Sequence, residues 1–262
     1  MEETLAEIEF LALSPNRVTV LESLAAGPRT RSELAEATGA SQATLGRILG
    51  DFEDRDWVVR TEGAYAATAT GRLVAEGFRD LLDVMAAERE LRDVVAYLPT
   101  EAMEFDLRHL ADARIVTPSQ TRPNAPLQRL LELMRGADSV TAFSHALNDQ
   151  SLSVVAERLG EQEFEAVLTR GAVDSLTADD GLRERLRRVI SAPSAGIRVA
   201  DDDIPVAVTI ADDVVNLLVR DDRGVVQAAI DTSDPAVREW AERRYEAHRV
   251  NSAPLAADDL GA

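Results

Sequence analysis

Between Thr30 and Val58 the chain reads TRSELAEATGASQATLGRILGDFEDRDWV, and few arrangements accommodate that run. TRSE at Thr30 to Glu33 is a capping box that opens a short helix, SELAEAT. Gly39 supplies a turn, and Ser41 caps a further helix, QATLGRILGDFEDRD. Within that helix Leu45, Ile48, Leu49 and Phe52 fall three or four apart and form a buried face, leaving Gln42, Ala43, Thr44 and Arg47 outward. Upstream, NRVTVLESLAAGP places Val18, Val20, Leu21 and Leu24 on one helical face and stops at Gly27-Pro28. Downstream, WVVRTEGAYAAT reads as two short strands around Glu62-Gly63, a hairpin signal. A helix, a helix–turn–helix and a two-stranded wing, in that order, predict a winged helix-turn-helix over residues 1–69.

TGRLVAEGFRDLLDVMAAERELRDVVAYL follows without an internal proline and predicts a linking helix over residues 70–99, closed by Pro99. Leu73, Val74, Phe78, Leu81, Leu82 and Met85 form its apolar stripe, which reads as a dimerisation face, joined by a Leu5–Leu13 helix. From Arg114 the period changes. ARIVTPS, DSVTAFSH and FEAVLTRG are strand-like and alternate with helical stretches at Pro126–Arg135 and Ser151–Leu159, which predicts βαβ units with parallel strands. GLRERLRRVI is another amphipathic helix. GIRVADD, PVAVTIADD, VVNLLVRDD and GVVQAAIDTSD then read as strands in antiparallel hairpins, and DPAVREWAERRYEAHRV as a capped closing helix. The expected class is therefore mixed α+β, with an α/β domain and mixed sheet over residues 100–250 and a disordered tail over 251–262.

Composition narrows the chemistry. The 262 residues include no cysteine, which removes thiolate catalysis, iron–sulfur clusters and cysteine–zinc sites. Lysine is also absent, so all 28 basic side chains are arginine and no Schiff-base or P-loop lysine exists. No apolar run is long enough to span a membrane, and the acidic start MEETLAEIEF lacks the basic region of a signal peptide, so a cytoplasmic protein is expected. The Asp pairs around Asp201–Asp203, Asp212-Asp213 and Asp221-Asp222 have no EF-hand spacing and read as solvated turns, with no metal and no cofactor expected. No G-x-S-x-G occurs, and His109 and His248 read as surface residues, so no catalytic residue is assigned.

The formal net charge of −19 sets a puzzle for a unit shaped to enter a DNA groove. Residues 16–72 hold seven arginines against eight acids, so this unit is near neutral while the remainder carries the charge. Such a surface suits a salt-in cytoplasm, where at molar salt the Debye length is about 3 Å and distant carboxylates scarcely repel a duplex. Ser41, Gln42 and Thr44 then offer donors and acceptors to base edges, and Arg47 can bind guanine bidentately or pair with phosphate. Arg29 and Arg31 are placed for backbone phosphates, and Arg60 and Tyr65 lie on the wing. In the second domain Thr117, Ser119, Ser144, His145 and Arg170 stand at strand ends, where ligands of open α/β sheets bind, and could converge on an anionic small molecule. Ordinary polar strand ends are the alternative for each.

The chain resembles, in its N-terminal third, archaeal winged-helix regulators of the ArsR/MarR-like kind. The remainder is similar to the sensing domain of archaeal methanogenesis and filament-formation regulators. SQATLGRILGDFEDRDWV, PNAPLQRLLELMRGADSVTAFS and DTSDPAVREWAERRYEAHR carry the likeness, in that order, over most of residues 10–250. The resemblance implies a transcription regulator on double-stranded promoter DNA, a homodimer, and an unknown small-molecule effector. Its second domain is also similar to phospholipase-D-like sensor domains, as in TrmB-type sugar regulators. The His-and-Lys motif of that enzyme class cannot be completed here, because there is no lysine, and cysteine-based redox sensing is likewise excluded. Two readings from other classes stay open: a small-molecule enzyme with an accessory winged helix, and a winged-helix protein–protein adaptor.

Overall fold

A computed structural model describes residues 1–260 and resolves into two units, Met1–Met85 and Ala86–Ala262. The first contains α1 (Glu2–Ala12), α2 (Pro15–Ala26), α3 (Arg31–Thr38), α4 (Gln42–Glu53), β1 (Val58–Thr61), β2 (Ala64–Ala67) and the start of α5 (Ala69–Leu91). Pro15 opens α2, where its missing N–H is not needed. The apolar positions read from the sequence meet in one core: Val20, Leu21, Leu24, Leu34, Leu45, Ile48, Leu49 and Phe52 are all buried. Helix α1 joins that core through Leu11 and through Phe10, whose ring lies edge-on to Phe52 and to Trp57 at 6.1 Å. The guanidinium carbons of Arg17 and Arg55 sit 3.9 and 3.8 Å from the Phe10 ring centre, a cation–π pairing from two arginines. At the start of α5, Thr68 Oγ1 accepts the amide of Gly71 at 3.0 Å. A Cβ at Gly71 would lie 2.0 Å from the Trp57 carbonyl oxygen, so only glycine lets this helix approach the wing.

The second unit begins with the end of α5 and short 3-10 turns at Val95–Tyr97, Thr100–Ala102 and Leu107–Leu110. There follow β3 (Arg114–Val116), α6 (Ala125–Gly136), β4 (Ser139–Ser144), α7 (Asp149–Glu157), β5 (Glu163–Thr169), α8 (Arg170–Thr177), α9 (Asp180–Ile190) and β6 (Ala195–Ala200). The unit is completed by β7 (Ala207–Ala211), β8 (Val214–Arg220), β9 (Val226–Thr232), α10 (Pro235–Val250) and β10 (Ser252–Pro254). The eight strands form one mixed sheet in the order β10-β6-β5-β4-β7-β8-β9-β3. Strands β4, β5 and β6 are parallel, as the βαβ reading requires, and β7, β8 and β9 form an antiparallel meander. Side chains alternate across the sheet. Ala166, Leu168 and Leu218 face the layer of α6, α7, α8 and α9, whereas Val167, Leu217 and Val219 face Trp240 of α10.

Four expectations are corrected by this architecture. Helix α5 ends at Leu91, not at Pro99, because Leu91, Val94 and Leu98 turn into the core of the second unit. Strand β3 does not join the parallel set; it pairs antiparallel with β9 at the far edge. FEAVLTRG is not all strand, since Thr169 caps α8 and Arg170 is its first residue. The tail is ordered at least to Leu260. Ser252–Pro254 pairs antiparallel with β6, and Leu255 and Leu260 are buried. An edge strand tolerates Pro254, which has no N–H to give. Residues 261–262 of the expected tail lie outside the described residues.

Candidate nucleic-acid interface

The capping signals place the outward face of α4. Thr30 Oγ1 accepts the Glu33 amide at 3.3 Å, and Glu33 Oε2 accepts the Thr30 amide at 2.6 Å, closing the reciprocal box at the start of α3. The amide of Thr30 holds the Glu33 carboxyl below the usual carboxylate range, aided by the Thr30 hydroxyl. Gly39, at φ 66°, ends α3 in the left-handed conformation. Ser41 Oγ then accepts the Thr44 amide at 3.2 Å and meets Thr44 Oγ1 at 3.0 Å. Those two hydroxyls therefore fix the first turn of α4, while Gln42, Ala43 and Arg47 are exposed beside them. The first turn of α4 has no acidic residue. At the other end of the helix Asp51 is held by Arg17 at 3.4 Å.

The wing is a two-residue hairpin in which Arg60 pairs with Tyr65 and Thr61 with Ala64. Glu62 and Gly63 both have positive φ, 46° and 89°, as the favoured hairpin turns of this length demand. Tyr65 is corrected as a wing contact. It is 5% exposed, because alternation along β2 turns Tyr65 and Ala67 into the core. Its backbone exchanges hydrogen bonds with Arg29, at 2.9 and 2.8 Å, and the Arg60 guanidinium lies 5.7 Å from its ring centre. Tyr65 thus positions two arginines instead of reaching outward. Arg31 lies across α4, since a Cβ at Gly46 would sit 3.5 Å from its Nη2. Among the described residues, none of Arg29, Arg31, Arg47 and Arg60 has a carboxylate within ion-pair distance. Some arginines of the second unit are matched: Arg129 to Asp231, Arg238 to Glu242 and Asp213, Arg249 to Glu246.

The candidate effector residues do not converge as one group. Thr117 and Ser119 lie by β3, four strand intervals from β4, which is roughly 19 Å at the usual strand spacing. Ser144 is buried, and its hydroxyl is spent on Ala146, whose carbonyl it donates to at 2.6 Å. Arg170 is exposed and stands 3.6 Å from Asp201. His145 does line a cleft, and its Nδ1 donates to the Ile204 carbonyl at 3.0 Å. The Asp turns are clamps: Asp212 accepts the amides of Asp138 and Ser139, and Asp221 those of Arg223 and Val225. Contrary to the surface reading, His248 is buried, 5.3 Å from the Phe143 ring. Burial and the Arg244 charge push its pKa below the ordinary histidine value. No helix is long and apolar enough to cross a membrane, and no cluster of three potential metal ligands occurs among the described residues.

Residues 5–90 match the family profile described as the HVO_A0261 N-terminal domain. Residues 123–251 match the middle domain of the methanogenesis regulatory protein FilR1. The chain thus carries two domains that match archaeal regulator families, in that order. Among solved structures, the regulator is similar to the archaeal chromatin protein TrmBL2, at 14% identity over 95% of this chain and 98% of that one, with a TM-score of 0.41. It is also similar to Nuc, a phospholipase D family member from Salmonella typhimurium, at 12% identity over 55% of this chain and 98% of that one, TM-score 0.41. A further relative is the methyl-accepting chemotaxis protein McpB of Pseudomonas aeruginosa, 31% identical over 169 residues and 58% of this chain. The regulator spans 24% of McpB.

Proposed function

We propose that this regulator binds promoter DNA sequence-specifically through α4, as a cytoplasmic homodimer whose second unit senses a small molecule. The observation that carries the reading is the set of unmatched arginines around an acid-free helix start. Among the described residues Arg29, Arg31, Arg47 and Arg60 have no carboxylate within ion-pair distance, and all four lie near the start of α4 or on the wing. Such groups are free to neutralise phosphates, while Gln42 and Arg47 are free to read base edges. Ser41 and Thr44 assist by holding the helix start in shape. TrmBL2 is described as an archaeal chromatin protein with a novel mode of DNA binding, which agrees with this partner.

The dimer reading rests on exposed apolar side chains. In α5, Val74 and Phe78 join the N-terminal core, but Leu73, Leu81, Leu82 and Met85 stay exposed. Beside them Ile8, Leu11, Trp57 and Phe78 line an apolar groove of about 690 Å³ between α1 and α5. Two copies joined there would offer two α4 helices to successive major grooves, about 34 Å apart. Light scattering in concentrated potassium chloride should give twice the chain mass.

Genome-wide occupancy mapping, followed by fluorescence anisotropy on a recovered promoter duplex, tests the DNA reading. Binding should fall little, or rise, as potassium chloride approaches molar concentration, because screening silences the acidic bulk faster than it weakens contact-range bonds. A steep loss of affinity with salt, or folded protein that ignores every promoter, would overturn it.

A further inference from the structure

A cleft of about 510 Å³ opens at the ends of β4 and β8 in the second unit, and the Arg220 side chain is its unusual feature. Arg220 closes β8 after a run of buried residues, at a register shift against β9. Its Nη1 donates to the Gly224 carbonyl at 2.9 Å, while its Nε is buried without a hydrogen-bond partner. Among the described residues no carboxylate lies within ion-pair distance of it, and burial lowers its pKa from the ordinary arginine value. The neighbouring acid does not answer it, because Asp221 is committed to its own turn, with Oδ1 on the Arg223 and Val225 amides and Oδ2 on Gln227. A desolvated guanidinium with an unused donor is an incomplete pair, and a carboxylate completes it in fork geometry.

His145 lines the same cleft. A carbonyl can only accept, so the 3.0 Å bond to Ile204 is donated by Nδ1, and in that tautomer Nε2 is the acceptor. The matching ligand group is a hydroxyl that donates. Asp221 and Asp222 on the rim disfavour a phosphate dianion relative to a single carboxylate. Tyr97 and Pro99 form another wall, and they follow Leu91, the last residue of α5, within eight positions. Val94 and Leu98 of that connector are buried in the core, so the segment is anchored on one side and faces the cleft on the other.

Resting on the sensor reading above, we infer that this cleft binds a small hydroxycarboxylate, its carboxylate on Arg220 and its hydroxyl on His145, and that the Val95–Pro99 connector registers its occupancy.

Isothermal titration of the full chain in concentrated potassium chloride, with glycolate, lactate, glycerate and 3-hydroxybutyrate as probes, tests the inference. At least one should bind, and inorganic phosphate and the matching amides should not. Arg220→Gln should weaken that binding about 10- to 100-fold, as loss of a charge-assisted pair does, with circular dichroism and thermal melting reporting that the variant folds. The bound hydroxycarboxylate should bind more tightly than the carboxylate lacking its hydroxyl; where Arg220→Gln does not fold, His145→Phe takes its place, and it should lose that preference. No binding by any probe overturns the inference, equal binding of phosphate overturns the ligand class, and full binding by the folded variants overturns the site. Anisotropy on the promoter duplex, with and without the bound probe, isolates the connector. An unchanged DNA affinity overturns its role, while DNA binding without any effector response leaves the regulator reading standing and this inference refuted.

Discussion

Two groups of arginines in this chain are held differently. On the face around α4, Arg29, Arg31, Arg47 and Arg60 stand without carboxylate partners among the described residues, with Arg29 bonded to the Tyr65 backbone, Arg31 beside Gly46 and Arg60 near the Tyr65 ring. In the second unit Arg129 is matched to Asp231 at 2.5 Å beneath α6, and Arg238 and Arg249 are matched on α10. Arg17, Arg55 and Arg79 of the first unit are matched too, to Asp51, Glu7 and Glu22, so the unmatched group is local to the face around α4.

Breaking the internal set should have the largest effect. Asp231 is 5% exposed; its Oδ2 takes Arg129 and its Oδ1 takes the Asn216 amide at 2.7 Å. The Asp231 hydrogen bond raises the Arg129 pKa above the ordinary arginine value. Arg129→Ala strands a buried carboxylate and should cost about 3–5 kcal/mol in a denaturant titration. Promoter affinity per folded molecule should not change.

Arg47→Ala should reverse that pattern. Its side chain is exposed and unmatched, so melting should shift by less than a degree or two, within the about 0.5 kcal/mol usual for surface changes. Promoter affinity should fall by about 1–3 kcal/mol and discrimination should relax at one base pair. Arg60→Ala, on the wing, should weaken binding alike on all duplexes. An Arg47→Ala variant that melts early but binds normally would erase the distinction between the two sets.

Histidine gives a pH test of the second unit. Burial lowers the His248 pKa, so protonation favours the unfolded chain. Its contribution to stability is complete above the ordinary histidine pKa near 6.5 and is lost as pH falls toward the lowered folded value. Stability measured between pH 8 and pH 5 should drop across that window, and a His248→Phe variant should drop less.

The first unit was legible because its signals are local. A capping box, a left-handed Gly39, an i,i+3/i+4 apolar face and a two-residue hairpin each fit within one turn or one hairpin. Tyr65 was misread because one position along a strand reverses the side it faces, and the pattern of β2 is too short to fix that. In the second unit the parallel β4–β5–β6 set announced itself through intervening helices, whereas β3 and β10 find partners more than fifty residues away that no local pattern marks. His248 and Arg220 were hidden for a related reason. Each is one polar residue on an element whose other face decides the burial, and the cleft exists only once β8 lies beside β7 and the connector closes over them.

The smallest predicted effect bears on how far along α4 the external face runs. Gly50 lies one turn beyond Gly46, and a Cβ there would have nothing within 4 Å. Gly50→Ala should therefore raise stability by about 0.5–1 kcal/mol through helix propensity alone. On the proposed reading the base-contacting residues stand at the beginning of α4, between Ser41 and Arg47, whereas Asp51 at the helix end is paired with Arg17. Promoter affinity should thus stay within about twofold, well under the 1.4 kcal/mol that a tenfold change represents. A tenfold loss in the stabilised variant would mean that the duplex lies against the third turn as well. The external face would then extend past Arg47, toward the acids that now appear set back from it.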